Sequence, residues 1–340
     1  MLELPLLDDL HVHLRQGELM DAVVPSITSG GVGRVLVMPN LSPPITTVEL
    51  AKEYRETLVA LNPKCEYFMT LFLNPGLLTD LDSLNNARAA GIVGIKSYPK
   101  GVTTGSDAGV ESYEVYDPIF ERMEQVGLSL HFHGEVPNTC VMQAEEKFLS
   151  NLFDIHQKYP KLKIVLEHVT TAAAIEAVRK CGPTVAATIT VHHLDLTISD
   201  VVGNNINFCK PVAKYESDRE AIRSVVRSGD KKFFLGSDSA PHAAGSKSTH
   251  CCAPAGIFTQ PHLVEYLADA FDRLDCLDNL RSFACETGTN FLGLGIPPPS
   301  SIILEERPFT IPDRFPFGTQ GEFVIPYRAG QTLKYSQRTL

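Results

Sequence analysis

Short apolar, β-branched runs alternate along the chain with longer stretches whose apolar residues recur every three or four positions. Eight such runs fall within residues 1–245: LLDDLHVHL (6–14), VGRVLVMPN (32–40), CEYFMTLFLN (65–74), GIVGIKSYP (91–99), LSLHFHGEV (128–136), LKIVLEHVT (162–170), VAATITVHH (185–193) and KKFFLGSDSAPH (231–242). Between them lie helical patterns such as VELAKEYRETLVAL (48–61), YDPIFERMEQVG (116–127) and DREAIRSVVRSG (218–229). Strand–helix alternation predicts a parallel sheet. Eight units of roughly 31 residues match the size of a (β/α)8 TIM barrel. No Gly-rich dinucleotide fingerprint accompanies the alternation, which disfavours a doubly wound sheet. From about residue 296 to 340 the texture turns proline-rich and short-stranded, beginning with "GIPPPSS". This tail reads as a C-terminal extension packed on a single barrel domain spanning 1–340.

Composition narrows the possibilities. Hydrophobic residues make up 44% and charged residues 21%, as in an ordinary globular chain. No apolar run approaches the ~18 residues of a membrane span, and no basic-then-apolar leader opens the chain. A net charge of −10 argues against nucleic acid or an anionic membrane as partner. Eight scattered cysteines without a CxxC suit reduced thiols and a cytoplasmic location. The adjacent pair Cys251–Cys252 is the one oddity among them.

The first run ends on His11 and His13, which share a face of a strand. Alone, an HxH is commonly two unrelated histidines. Other runs, however, end on Lys96, His133, His168 and Asp238. From His13 the steps are 83, 37, 35 and 70 residues, close to whole numbers of barrel units. In a barrel of this kind those groups meet at the C-terminal rim. Imidazole and carboxylate ligands suit zinc. A buried lysine amid cations favours its neutral amine, which can add carbon dioxide to become a carbamate.

Taken together, the HxH, "GIKSYP", "HGEV", "EHVTT" and "DSAPH" resemble the amidohydrolase superfamily, and within it the short, single-function dihydroorotases. Only about ten residues precede the HxH, without the β-sandwich half that hydantoinase-like relatives carry. The resemblance implies reversible hydrolysis of L-dihydroorotate to N-carbamoyl-L-aspartate, a step of de novo pyrimidine synthesis, by a homodimer. It implies two zinc ions per chain, bridged by carbamylated Lys96. His11, His13 and Asp238 would hold one, and His133 and His168 the other. Asp238 would also carry the proton. Arg15, Asn40 and His242 would bind substrate, with the backbone of Ala255 and Gly256. Thr103 and Thr104, in "KGVTTGSDAG", match a mobile loop that closes over it. Two departures stand out. The segment before "AGIF" carries an extra residue, and Lys210 in "FCKPVAK" replaces an expected apolar residue.

Plainer readings remain open at this stage. His131 could take the place of His133, Asn40 could cap a helix, and Thr103 and Thr104 could be solvated loop residues. His192 and His193 read as structural. Another cyclic-amide hydrolase, or a non-enzymatic interaction protein on this fold, is the alternative to a dihydroorotase.

Overall fold

The computed structural model describes residues 1–248, 252–297 and 299–338. A short strand β1 (Leu2–Pro5) leads into the eight runs, each of which contributes one strand to a parallel sheet. These are β2 (Leu7–Val12), β3 (Val32–Val37), β4 (Glu66–Phe72), β5 (Ile92–Ser97), β6 (Ser129–Phe132), β7 (Ile164–Leu166), β8 (Val185–Ile189) and β9 (Phe233–Leu235). They stand side by side in chain order. The two edges meet through Asp238 N–H to the His11 carbonyl at 2.9 Å and His13 N–H to the Ser239 carbonyl at 3.0 Å. The sheet is thereby a (β/α)8 barrel.

Each hydrogen-bonded strand is shorter than the apolar run that signals it. The leftover residues at the C-terminal side of β2, β3, β6, β7 and β9 are where His13, Asn40, His133, His168 and Asp238 sit. Two of these residues leave the strand conformation. His168 and Asp238 adopt φ of 42° and 48°, a left-handed geometry that is uncommon outside glycine.

Helices cover the outside, among them α1 (Gly17–Ser29), α2 (Val48–Leu61), α3 (Asp117–Val126), α4 (Ala144–Lys158) and α5 (Ala172–Lys180). Thr47 caps α2 and Thr171 caps α5, each side chain accepting a backbone N–H of the first turn. Between β4 and β5 the layer thins to three short 3-10 turns. The main apolar core lies between sheet and helices. A smaller one, including Leu10, Leu36, Val165, Ala186 and Phe234, fills the barrel interior beneath the rim. Below it Arg34, 1% exposed, donates to both oxygens of Asp8 at 2.7 and 2.6 Å. The helix Thr287–Leu292 closes that end, with the Thr289 hydroxyl joining the same pair.

The extension forms six short strands, β10 (Ser301–Glu305), β11 (Phe309–Thr310), β12 (Phe315–Phe317), β13 (Glu322–Val324), β14 (Thr332–Leu333) and β15 (Ser336–Gln337). β10 pairs antiparallel with β1 and with β15, so chain start and tail share one small sheet.

Candidate active site

At the C-terminal rim, β2, β5, β6, β7 and β9 bring His11, His13, Lys96, His133, His168 and Asp238 together. The ring centres of His11 and His133 each lie 4.9 Å from that of His168, and His13 lies 5.4 Å from His11. Candidate ligand atoms of His11, His168 and Asp238 all fall within 4.8 Å of one another. Lys96 is wholly buried, and its Nζ makes no hydrogen bond.

A layer of carboxylates orients these rings from behind. Glu135 accepts a hydrogen bond from His133 Nε2 at 2.8 Å, leaving the other ring nitrogen to face inward. Glu167 binds His131 Nδ1 at 2.6 Å and lies 2.8 Å from His11 Nδ1, close enough to pair though not aligned for a hydrogen bond. Its other partner is the Thr188 hydroxyl at 2.5 Å, which also receives the His168 N–H at 2.6 Å. Burial alone would raise the pKa of Glu167, but His11 and His131 hold it well below the usual carboxylate range. For Asp238, burial again works upward, and the hydrogen bond from His13 with the charge of His11 keeps it low. Burial drives three of the histidines toward the neutral form: His13 falls to about 4, and His133 and His168 also fall. Burial likewise lowers Lys96 to about 8, against the pull of Glu167 and Asp238.

This chemistry fits a metal. Neutral imidazoles, an ionised carboxylate and an amine poised to lose its proton are donor atoms. His11 Nε2, His168 Nδ1 and Lys96 Nζ are buried and make no hydrogen bond. Buried polar atoms so placed call for a partner, and a cation among them would supply it.

The remaining predicted residues frame the same cavity. Arg15, Asn40, Thr103, Thr104, Ala255 and Gly256 line it. Arg15 is braced by Nε donating to the Pro241 carbonyl at 2.9 Å and by His242 Nε2 at 3.1 Å. His242 stands behind the arginine, 3.0 Å from the Ala255 carbonyl. Gly256 has φ 153°, and a Cβ there would sit 2.4 Å from the Ala240 carbonyl, so only glycine fits.

Residues 4–296 match the amidohydrolase family. The chain is 46% identical to a probable dihydroorotase of Schizosaccharomyces pombe over 98% of both chains. It is 47% identical to the dihydroorotase of Mycosarcoma maydis, over 84% of this chain and 80% of that one. The crystal structure of Saccharomyces cerevisiae dihydroorotase in complex with 5-fluoroorotic acid superposes with a TM-score of 0.95 at 38% identity, covering 99% of this chain and 98% of the other. The chain belongs to the amidohydrolases, among the dihydroorotases. Amidohydrolases are generally metal-dependent, in keeping with the donor cluster at this rim.

Within the dihydroorotase barrel several open points close. Both nitrogens of His131 are engaged, by Ser129 Oγ at 2.7 Å and by Glu167, so it is a support beneath the site. Gly94 makes room for that ring, since a Cβ there would lie 2.8 Å from it. Asn40 caps no helix; Thr47 does that for α2, and Asn40 Nδ2 donates to the Thr104 carbonyl at 3.1 Å. Thr104 is exposed and Thr103 partly so, above the cavity. His192, His193 and Cys209 form a second buried group with donor atoms within 4.8 Å. There His193 binds Thr190 through Nδ1 and the Pro211 carbonyl through Nε2, so neither nitrogen is vacant for a metal. Cys251 lies outside the described residues, and Cys252 is exposed.

Sequence reasoning passed over Glu135, Glu167, Tyr98 and Lys247. The first three stand inside quoted motifs: Glu135 and Glu167 against histidine rings, and Tyr98 with its ring centre 4.7 Å from Lys96 Nζ. Lys247 donates to the carbonyls of Phe208, Pro254 and Gly256 at 2.9, 3.1 and 2.9 Å, tying the "AGIF" turn to the wall opposite.

Proposed function

We propose that the chain interconverts L-dihydroorotate and N-carbamoyl-L-aspartate at this rim, as the cyclic-amide step of pyrimidine synthesis. The observation that carries the reading is Lys96: an amine fully buried, without a hydrogen bond, among four histidines and Asp238. With a pKa near 8, roughly a tenth of it is neutral at pH 7. The neutral nitrogen adds to carbon dioxide, forming the N–C bond and releasing one proton. The carbamate would then offer carboxylate-like oxygens to a metal. His11, His13 and Asp238 would hold one zinc and His133 and His168 the other, with Lys96 shared. When bound, the two ions polarise the amide carbonyl and ready water for attack at neutral pH.

The chain's own residues do the rest. Asp238, ionised by its surroundings, takes the proton of the attacking water and delivers it to the departing ring nitrogen. Arg15 offers two parallel N–H donors to the substrate carboxylate, and its bonds to Pro241 and His242 fix their direction. Asn40 and the backbone at Ala255 and Gly256 border the same space. Thr103 and Thr104 close it from above. The same reading carries a homodimer, which sedimentation of the purified protein tests, and a cytoplasmic enzyme. No helix among the described residues is long and apolar enough to cross a membrane. A metal-free interaction protein would have no need of a complete donor set, so that alternative is set aside.

The test is the ultraviolet absorbance of L-dihydroorotate with zinc-loaded protein, wild type beside Lys96→Ala. Loss of the ring signal with wild type alone supports both substrate and bridge. Loss with both removes the bridge, and loss with neither moves the chain to another cyclic amide.

A further inference from the structure

The segment from Lys100 to Val110, which matches a loop expected to close over substrate, is held in shape by its own hydrogen bonds. Its base is pinned by Lys100 N–H to the Val110 carbonyl at 3.0 Å and Val110 N–H to the Tyr98 carbonyl at 2.8 Å. Inside it, the fully buried Ser106 hydroxyl donates to the Thr103 carbonyl at 2.5 Å and accepts the Thr103 N–H at 2.9 Å. In the present conformation it leaves a cavity of about 20 Å³ over the donor cluster. That is room for little more than a water molecule, so the segment narrows the way to the donor cluster.

Among the described residues, two side chains of the barrel hold the lid's tip. Asn40 Nδ2 reaches the Thr104 carbonyl, and Lys210 Nζ donates to the Val102 carbonyl at 2.7 Å. Val102 directly precedes the two threonines. Lys210 itself springs from a fixed wall. The Phe208 carbonyl two residues earlier receives both the Gly256 N–H and the Lys247 ammonium, and Cys209 Sγ lies 3.3 Å from the Pro211 carbonyl. Lys210 also lines the cavity, facing the place where an anionic substrate would lie.

We propose that Lys210 is the lid latch: a positioning residue whose ammonium holds Val102 and so sets Thr103 and Thr104 over the bound ring. The proposal deepens the dihydroorotase reading and rests on it for the identity of the substrate. A charge-assisted bond anchored on a rigid wall favours the closed lid, so its loss opens the lid more often. It acts on how tightly the lid closes over substrate and leaves the donor cluster alone.

The experiment compares zinc-loaded wild type, Lys210→Met and Lys210→Arg. Deuterium exchange of amides 101–109 is read without substrate, and KM and kcat with L-dihydroorotate. In Lys210→Met, lid exchange should quicken about tenfold and KM rise about tenfold while kcat changes less than about threefold. Lys210→Arg, which keeps a charged donor, should restore both to within about threefold. Lid exchange within about twofold of wild type in Lys210→Met overturns the latch, whatever KM does. A failure of Lys210→Arg to restore it does so too. Should Lys210→Met not fold, Lys210→Ala takes its place under the same criteria. Because the exchange is measured without substrate, a chain inactive on L-dihydroorotate would sink the functional reading and leave the latch result standing.

Discussion

The site depends on groups whose ordinary solution behaviour has been altered by burial. Lys96 is the sharpest instance, an amine brought to about 8 by desolvation. Replacing it with alanine removes the group proposed to join the two halves of the donor set. We expect Lys96→Ala to lower turnover at least about a thousandfold and to retain less zinc after gel filtration, measured by atomic absorption. Glu135 acts one step further out. Its carboxylate receives the His133 N–H and lies 3.9 Å from the Lys214 ammonium. In Glu135→Gln the acceptor carries no charge, and the basicity of His133 falls. Zinc affinity should drop about 10- to 100-fold for the ion that His133 is proposed to hold, read by competition with a chelator. Equal affinity in the two proteins would mean that Glu135 serves packing alone.

Elements carry the site as much as residues do. Glu145, in the first turn of α4, accepts the Thr170 N–H at 2.8 Å and so ties that helix to the turn after β7 which presents His168. Burial raises its pKa from 4.5 to about 7, with Lys214 working the other way. The folded protein therefore binds this proton more readily than the unfolded chain. The stability it contributes is full below about pH 4.5 and lost as pH rises through about 7, roughly 3 kcal/mol in all. Glu145→Gln keeps the acceptor and loses the titration. Urea unfolding at pH 5 and pH 7.5 should show the variant gaining on wild type by that order at the higher pH. A constant difference between the proteins refutes the assignment. The lid obeys the same logic on the opposite side of the site, where internal bonds keep its shape and two outside bonds set its position.

The molecule as a whole is a barrel closed at one end and chemically active at the other. The closed end contains the Asp8–Arg34 pair, buried under the helix Thr287–Leu292. Arg34→Met leaves Asp8 an uncompensated buried charge and should cost about 3–5 kcal/mol of stability. Adding Asp8→Leu should recover most of that, since apolar pairs replace buried ion pairs well. Urea denaturation of the single and double variants checks both. At the active end, ring closure consumes a proton. The ratio of L-dihydroorotate to N-carbamoyl-L-aspartate at equilibrium should therefore fall about tenfold per pH unit between about pH 6 and 9. The enzyme should reach the same ratio from either side. A ratio independent of pH would mean a different reaction.

Alternation of apolar runs with helical periodicity is a local property, and it was enough to specify eight parallel strands. A parallel barrel puts every strand's C-terminal end on one rim, so the spacing of His13, Lys96, His133, His168 and Asp238 already encoded their meeting. The supports of the site were of another kind. His131 and His133 share a strand face two residues apart, and only depth separates them. One is enclosed by Ser129 and Glu167, while the other stands one residue past the end of β6 and gives one ring nitrogen to Glu135. Glu167 serves His11 from 156 positions away, and Lys210 finds Val102 across 108. Such pairs meet because the closed barrel holds distant segments a few ångströms apart, and no local pattern in the chain carries that distance. Residue type and period set the elements and the donor inventory; three-dimensional closure chose which nitrogens meet at the rim, which carboxylate stands behind them and which lysine reaches Val102.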